Sequence, residues 1–136
     1  MSQLKPETSS NRRRNDRGSV SIELLIILPA LFAVMFLGMQ AALIYHARTV
    51  AIAAAQEGAR AAGGENSNVN AGINTASVFI AEAGGDSVLP GASASGQRTA
   101  TVAVITVSGH SLSVIPGWTP LVRQSASVPV EKLTSP

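Results

Sequence analysis

The sequence predicts an α+β protein: a long N-terminal transmembrane helix extended beyond the membrane, then a small ectodomain with one helix and a short antiparallel β-sheet. Three features predict it. Residues 24–45 (LLIILPALFAVMFLGMQAALIY) carry no charge and a single amide, Gln40. Residues 45–62 (YHARTVAIAAAQEGARAA) extend that block in an Ala-rich, proline-free run that stops at Gly63 and Gly64. Residues 99–107 (TATVAVITV) are β-branched and partly alternating, the composition of a strand. A chain of 136 residues has room for one modest domain and an anchor, and 4% aromatic content argues against a large enzyme-like core.

The N-terminal leader, residues 1–18, is polar and basic, without an aromatic residue. It cannot bury enough apolar surface to offset chain entropy, so disorder is expected. The apolar block follows at once. Its 22 residues would cover roughly 33 Å as a helix, about the hydrocarbon thickness of a bilayer. Arg12, Arg13, Arg14 and Arg17 precede the block, whereas only His46 and Arg48 follow it closely. The positive-inside rule then places the leader in the cytoplasm and the C-terminal part outside, as a single-pass protein of the cytoplasmic membrane. Pro29 removes one backbone hydrogen bond and is expected to bend the helix. Tyr45 suits the interfacial belt.

In the second half of the long helix, which is assigned to residues 19–62, small residues recur every four positions. Ala47, Ala51, Ala55 and Ala59 form one row, and Ala54, Gly58 and Ala62 a second. Such rows let another helix approach closely. The competing explanation is that Ala is the best helix former and the rows are incidental.

The remaining residues, 63–136, are expected to form the small extracytoplasmic α+β domain. Residues 66–70 are turn-like. Val69, Ile73, Ala76, Ile80 and Ala83 then mark an apolar helical face closed by Gly84 and Gly85. Residues 88–97 (VLPGASASGQ) are expected to be a loop. Residues 99–107 and 111–115 read as a hairpin turning at Ser108, Gly109 and His110, and residues 125–130 as a short edge strand with Pro129.

The pI near 9.7 suggests a nucleic-acid binder, but the charge map excludes it. Five of the ten basic residues lie in the first 17 positions, and beyond Gly63 three bases face four acids. No basic stripe with interleaved aromatics is present, so the expected partner is membrane lipid and not nucleic acid. The chain lacks cysteine, which excludes a disulfide scaffold, a thiolate metal site and cysteine catalysis. His46 and His110 are far apart in sequence and have no carboxylate cluster beside them. No catalytic, cofactor-binding or metal-ligating residue is assigned, and an enzyme is not expected.

One constellation remains. Arg17 is followed by Gly18 and Ser19, Glu23 is the fifth residue after Gly18, and the apolar run starts immediately afterwards. A carboxylate in the first turn of a membrane helix can be explained locally, by the helix dipole and headgroup water. The wider pattern has a second explanation. Gly18-Ser19-Val20-Ser21-Ile22-Glu23-Leu24, then Ile27-Leu28-Pro29, then Ala54-Ala55-Gln56-Glu57-Gly58-Ala59-Arg60-Ala61-Ala62, resembles the TadE-like family, pilin-like components of tight-adherence (Tad, or Flp) pilus systems. The resemblance covers residues 18–62; the following region is similar only in style, and Leu24 stands where the Tad branch often has Tyr.

What the resemblance implies is a minor pilin or pilus-assembly protein. Its partners would be other pilin-like subunits, Tad assembly proteins and a prepilin peptidase cutting between Gly18 and Ser19. The freed ammonium of Ser19 would be neutralised by Glu23, usually that of a neighbouring subunit, within an extracellular pilus. The alternative is a plain single-pass membrane protein with a small partner-binding ectodomain.

Overall fold

The computed structural model describes the backbone of residues 10–132 and the side chains of residues 18–132. The chain divides into two compact units, Met1–Leu37 and Gly38–Pro136. Helix α1, Ser10–Gly63, runs through the boundary. It begins inside the stretch expected to be a disordered leader: residues 10–18 are helical, and residues 1–9 lie outside the described part. Arginine is a good helix former and residues 10–17 contain neither Gly nor Pro, so a helix already nucleated downstream extends through them at little cost.

In the first unit every described side chain is exposed, including Leu25, Ile26, Leu31, Phe32 and Val34. The helix continues through Pro29. A helix apolar on all sides, with no protein around it, needs a nonaqueous solvent. Its backbone is paired along the helix except at the bond Pro29 removes, and it is the membrane-spanning element the sequence predicts.

The second unit is a helix pair laid on one face of a three-stranded sheet. From Gly38 onward α1 buries a single stripe: Gln40, Ala47, Val50, Ala51, Ala54, Ala55, Gly58, Ala59 and Ala62. Helix α2, Val69–Glu82, starts at Asn68, whose side chain accepts from the amide of Ala71 at 2.9 Å. It buries Gly72, Ala76 and Ile80 and ends before Gly84 and Gly85, both at positive φ. Both helix boundaries follow the sequence reading closely.

The strands are β1, Ser93–Arg98, β2, Val102–His110, and β3, Leu121–Pro129, in antiparallel order β1-β2-β3. Gly96 pairs with Ile105, which pairs with Ala126, and Ala94 pairs with Val107, which pairs with Gln124. This register puts Ala103, Ile105, Val107 and Val122 on one face against the alanines of α1, Ala76 and Ile80 of α2, and Leu89. The other face presents Ser93, Ser95, Thr106, Ser108, Ser125 and Ser127. One dry face and one hydroxyl-rich face are what an antiparallel sheet with a single covered side requires.

The expected α+β class with a short antiparallel sheet holds, but its strands differ from the expected ones. Residues 93–97, expected to be loop, belong to β1. Ser108, Gly109 and His110 lie in β2 and are not a turn, while residues 111–115 are not a strand. The cause is packing. Gly96 and Gly109 are poor strand formers, yet each occupies a position where a Cβ would collide: Gly96 with Ile105 and Val69, Gly109 with Leu89.

Candidate functional site

Gly18 and Ser19 lie within α1 and are exposed. A Cβ placed on Gly18 would meet no atom within 4 Å, so packing does not require glycine there. Glu23 is exposed on the same helix and has no ion-pair partner among the described residues.

The two small-residue rows are a packing surface, and the chain itself fills it. Ala47, Ala51, Ala54, Ala55, Ala59 and Ala62 have no accessible surface, and Gly58 is buried. At the crossing of α1 and α2 the backbones meet through glycine. A Cβ on Gly58 would lie 2.7 Å from the Gly72 carbonyl oxygen, and one on Gly72 would lie 2.6 Å from the Gly58 oxygen. A Cβ on Gly63 would instead meet the Val128 side chain of β3 at 2.6 Å. The occupant of this face is therefore α2 and the sheet, and the helix of another subunit cannot use the same residues.

The end of α1 is tied down from three sides. Ser67 Oγ donates to the Ala61 carbonyl, the Glu131 amide to Gly63 at 2.8 Å, and Arg98 Nη2 to Gly64 at 3.2 Å. These bonds satisfy terminal carbonyls and place a cation at the negative end of the helix dipole.

Gln40 is the residue whose role the sequence hides. It is 2% exposed, and its side chain holds the connection between β2 and β3. Nε2 donates to the Leu112 carbonyl at 3.2 Å, while Oε1 accepts from Ser113 Oγ at 3.1 Å and from the Val114 amide at 2.9 Å. The sequence signal was present: Gln40 is seven residues before Ala47 and so on the same helical face. Protein thus covers one face of α1 from Gln40 onward, earlier than the expected end of the span at Tyr45. Gln40→Leu leaves the Val114 amide and Leu112 carbonyl without that partner, at a cost of about 1–3 kcal/mol. The melting midpoint of the second unit, followed by circular dichroism in detergent, is expected to fall by about 5–15 °C. An unchanged midpoint would show that the tie contributes nothing.

Among the described residues no group of three His, Asp or Glu side chains could hold a metal. His46 is exposed, and His110 Nδ1 lies 3.3 Å from the Thr119 carbonyl oxygen, a structural contact at the base of the same loop.

The model of the TadE-like protein family matches residues 18–60. No curated protein and no solved structure matches the chain. The matched stretch opens on Gly18, contains Glu23 and the exposed apolar helix, and closes within the buried stripe, two residues after Gly58. Over residues 18–60 this chain is similar to the TadE-like family.

Proposed function

We propose that this chain is a pilin-like, membrane-anchored component of a Tad/Flp-type pilus system, with its folded C-terminal unit outside the cell and no catalytic role. The observation that carries the proposal is the family match over residues 18–60, joined to an apolar helix that leads into a folded unit. Four arginines shortly before the span against Arg48 alone closely after it support an N-terminus in the cytoplasm. Gly18, which packing does not require, fits the residue before a prepilin-type cut. Glu23, unpaired within the described residues, fits a carboxylate held for the ammonium of Ser19 on a neighbouring subunit. Since the Ala/Gly stripe is filled from within, subunit contacts in this reading fall to the lipid-facing part of the helix and to the outer surface of the second unit.

N-terminal sequencing of the chain from sheared surface pili and from membranes tests this. Ser19 is expected as the first residue in the pilus fraction, and deleting the chain's gene should abolish surface pili. Normal piliation in the deletion strain would overturn the role. Met1 at the start of every recovered chain would overturn the processing.

A further inference from the structure

We infer that residues 111–120, the connection between β2 and β3, form a membrane-contact loop that rests in the interfacial layer of the bilayer on the C-terminal side of the span. The loop is tied to Gln40 by the three hydrogen bonds given above. Gln40 is three residues beyond Leu37, the last residue of the first unit. Three residues reach at most about 11 Å even when extended. That is close to the depth of one headgroup layer, about 5–8 Å.

Hydrophobic length draws the loop nearer still. Protein with polar backbone covers one face of α1 from Gln40 onward, so the apolar run after Glu23 that is exposed on every side is residues 24–39. Sixteen residues span roughly 24 Å, shorter than the roughly 30 Å hydrocarbon layer. A short span is accommodated by thinning the bilayer or by drawing its flanking residues toward the acyl boundary. The flanking residues here are Gln40 and the loop bound to it.

The loop is built for that position. From Ser111 to Val122 no side chain is charged, and the chain's one tryptophan, Trp118, is among them. Leu112 is 37% and Trp118 46% exposed, and Leu121, the first residue of β3, directly after the loop, is 68% exposed. Tryptophan favours the headgroup level, where its ring is apolar and its N–H is wet. The loop is also ordered by its own bonds. The Trp118 amide donates to Ile115, closing a turn with Pro116 and Gly117 at φ 77°, and the Ser111 amide donates to Pro120 at 2.9 Å. A backbone satisfied in this way enters the interface at little desolvation cost.

The inference needs the membrane anchor but not the pilus role, and the single tryptophan makes it measurable in the unaltered protein. The full chain is reconstituted into phosphatidylcholine vesicles at one copy or fewer per vesicle, and flotation with the vesicles is scored first, as the test of the anchor. Trp118 emission is then read with doxyl labels placed near the headgroup or deep in the acyl chain, and with acrylamide in the water. The expected result is emission at shorter wavelength than in denaturant. The shallow label should remove roughly half or more of the intensity, as suits a tryptophan at headgroup level, and the deep label less. Full acrylamide access with no lipid quenching would overturn the inference by placing the loop in water. Protection from both acrylamide and lipid labels would also overturn it, by showing that protein covers the loop.

Discussion

Gly58→Leu is expected to remove more than half of the second unit's stability while leaving the chain in the membrane. A Cβ at position 58 meets the Gly72 carbonyl oxygen at 2.7 Å, Ala76 at 3.0 Å and Ile105 at 3.1 Å, and the first of these is backbone. Neither helix can yield by a rotamer change, so α1 and α2 must separate. The core between them is built largely of alanine, with Leu89, Ile105 and Val107 its largest fully buried hydrophobic residues. Alanines gain little each from burial and depend on close contact, so a gap opened at the crossing propagates along both helices. Overpacking typically costs 1–3 kcal/mol, and a backbone clash is expected to lie at or above about 3 kcal/mol. A unit of this size holds about 5 kcal/mol or somewhat more in total. Limited proteolysis of membranes carrying the variant should therefore digest the second unit under conditions that spare wild type. Gln56→Leu, on the exposed side of the same turn, should remain resistant. Equal resistance of Gly58→Leu and wild type would mean that the crossing is looser than the glycine contacts require.

Glu23→Gln is expected to abolish piliation without affecting synthesis, insertion or folding. Glu23 is exposed and unpaired among the described residues, so its removal takes no contact from the fold. A first-turn acid acting only on the helix dipole contributes at most about 1 kcal/mol, and glutamine preserves its polarity. A carboxylate that neutralises the Ser19 ammonium of a neighbouring subunit is different. Removing one partner of a buried pair costs about 3–5 kcal/mol, which lowers association about 100-fold or more. The measurement is surface pili in a strain whose only copy carries the variant, with membrane content of the chain as control. Wild-type piliation at normal membrane content would leave Glu23 as a local helix feature and remove the pairing from the proposed function.

The helices were legible in the sequence because their signals are local. An uncharged block, a following Ala-rich run, Gly63 with Gly64, and an apolar face from Val69 to Ala83 each report one element without reference to the rest of the chain. The strands were legible only in part. Residues 99–107 look like a strand by composition, and β2 takes up 102–107 of them; residues 93–98 (SASGQR) do not, and become one because β2 offers a partner edge and Ile105 of β2 with Val69 of α2 leaves no room for a side chain at Gly96. The candidate cleavage and assembly residues were legible as a motif, since Gly18, Ser19 and Glu23 owe nothing to tertiary contacts.

By itself, then, the sequence determined the anchor, the continuous helix, the second helix and the motif at the head of the span. These follow from composition and periodicity, which act over a few turns of chain. The tertiary structure alone decided the occupant of the Ala/Gly stripe and the role of Gln40. A smooth helical face accepts any close neighbour, from within the chain or from another subunit, and its spacing is the same in both cases. An amide in an apolar run is likewise silent about the partner it will find 72 residues away. Which surface reaches it first depends on chain closure, and that is settled only when α2 and the sheet fold back onto α1.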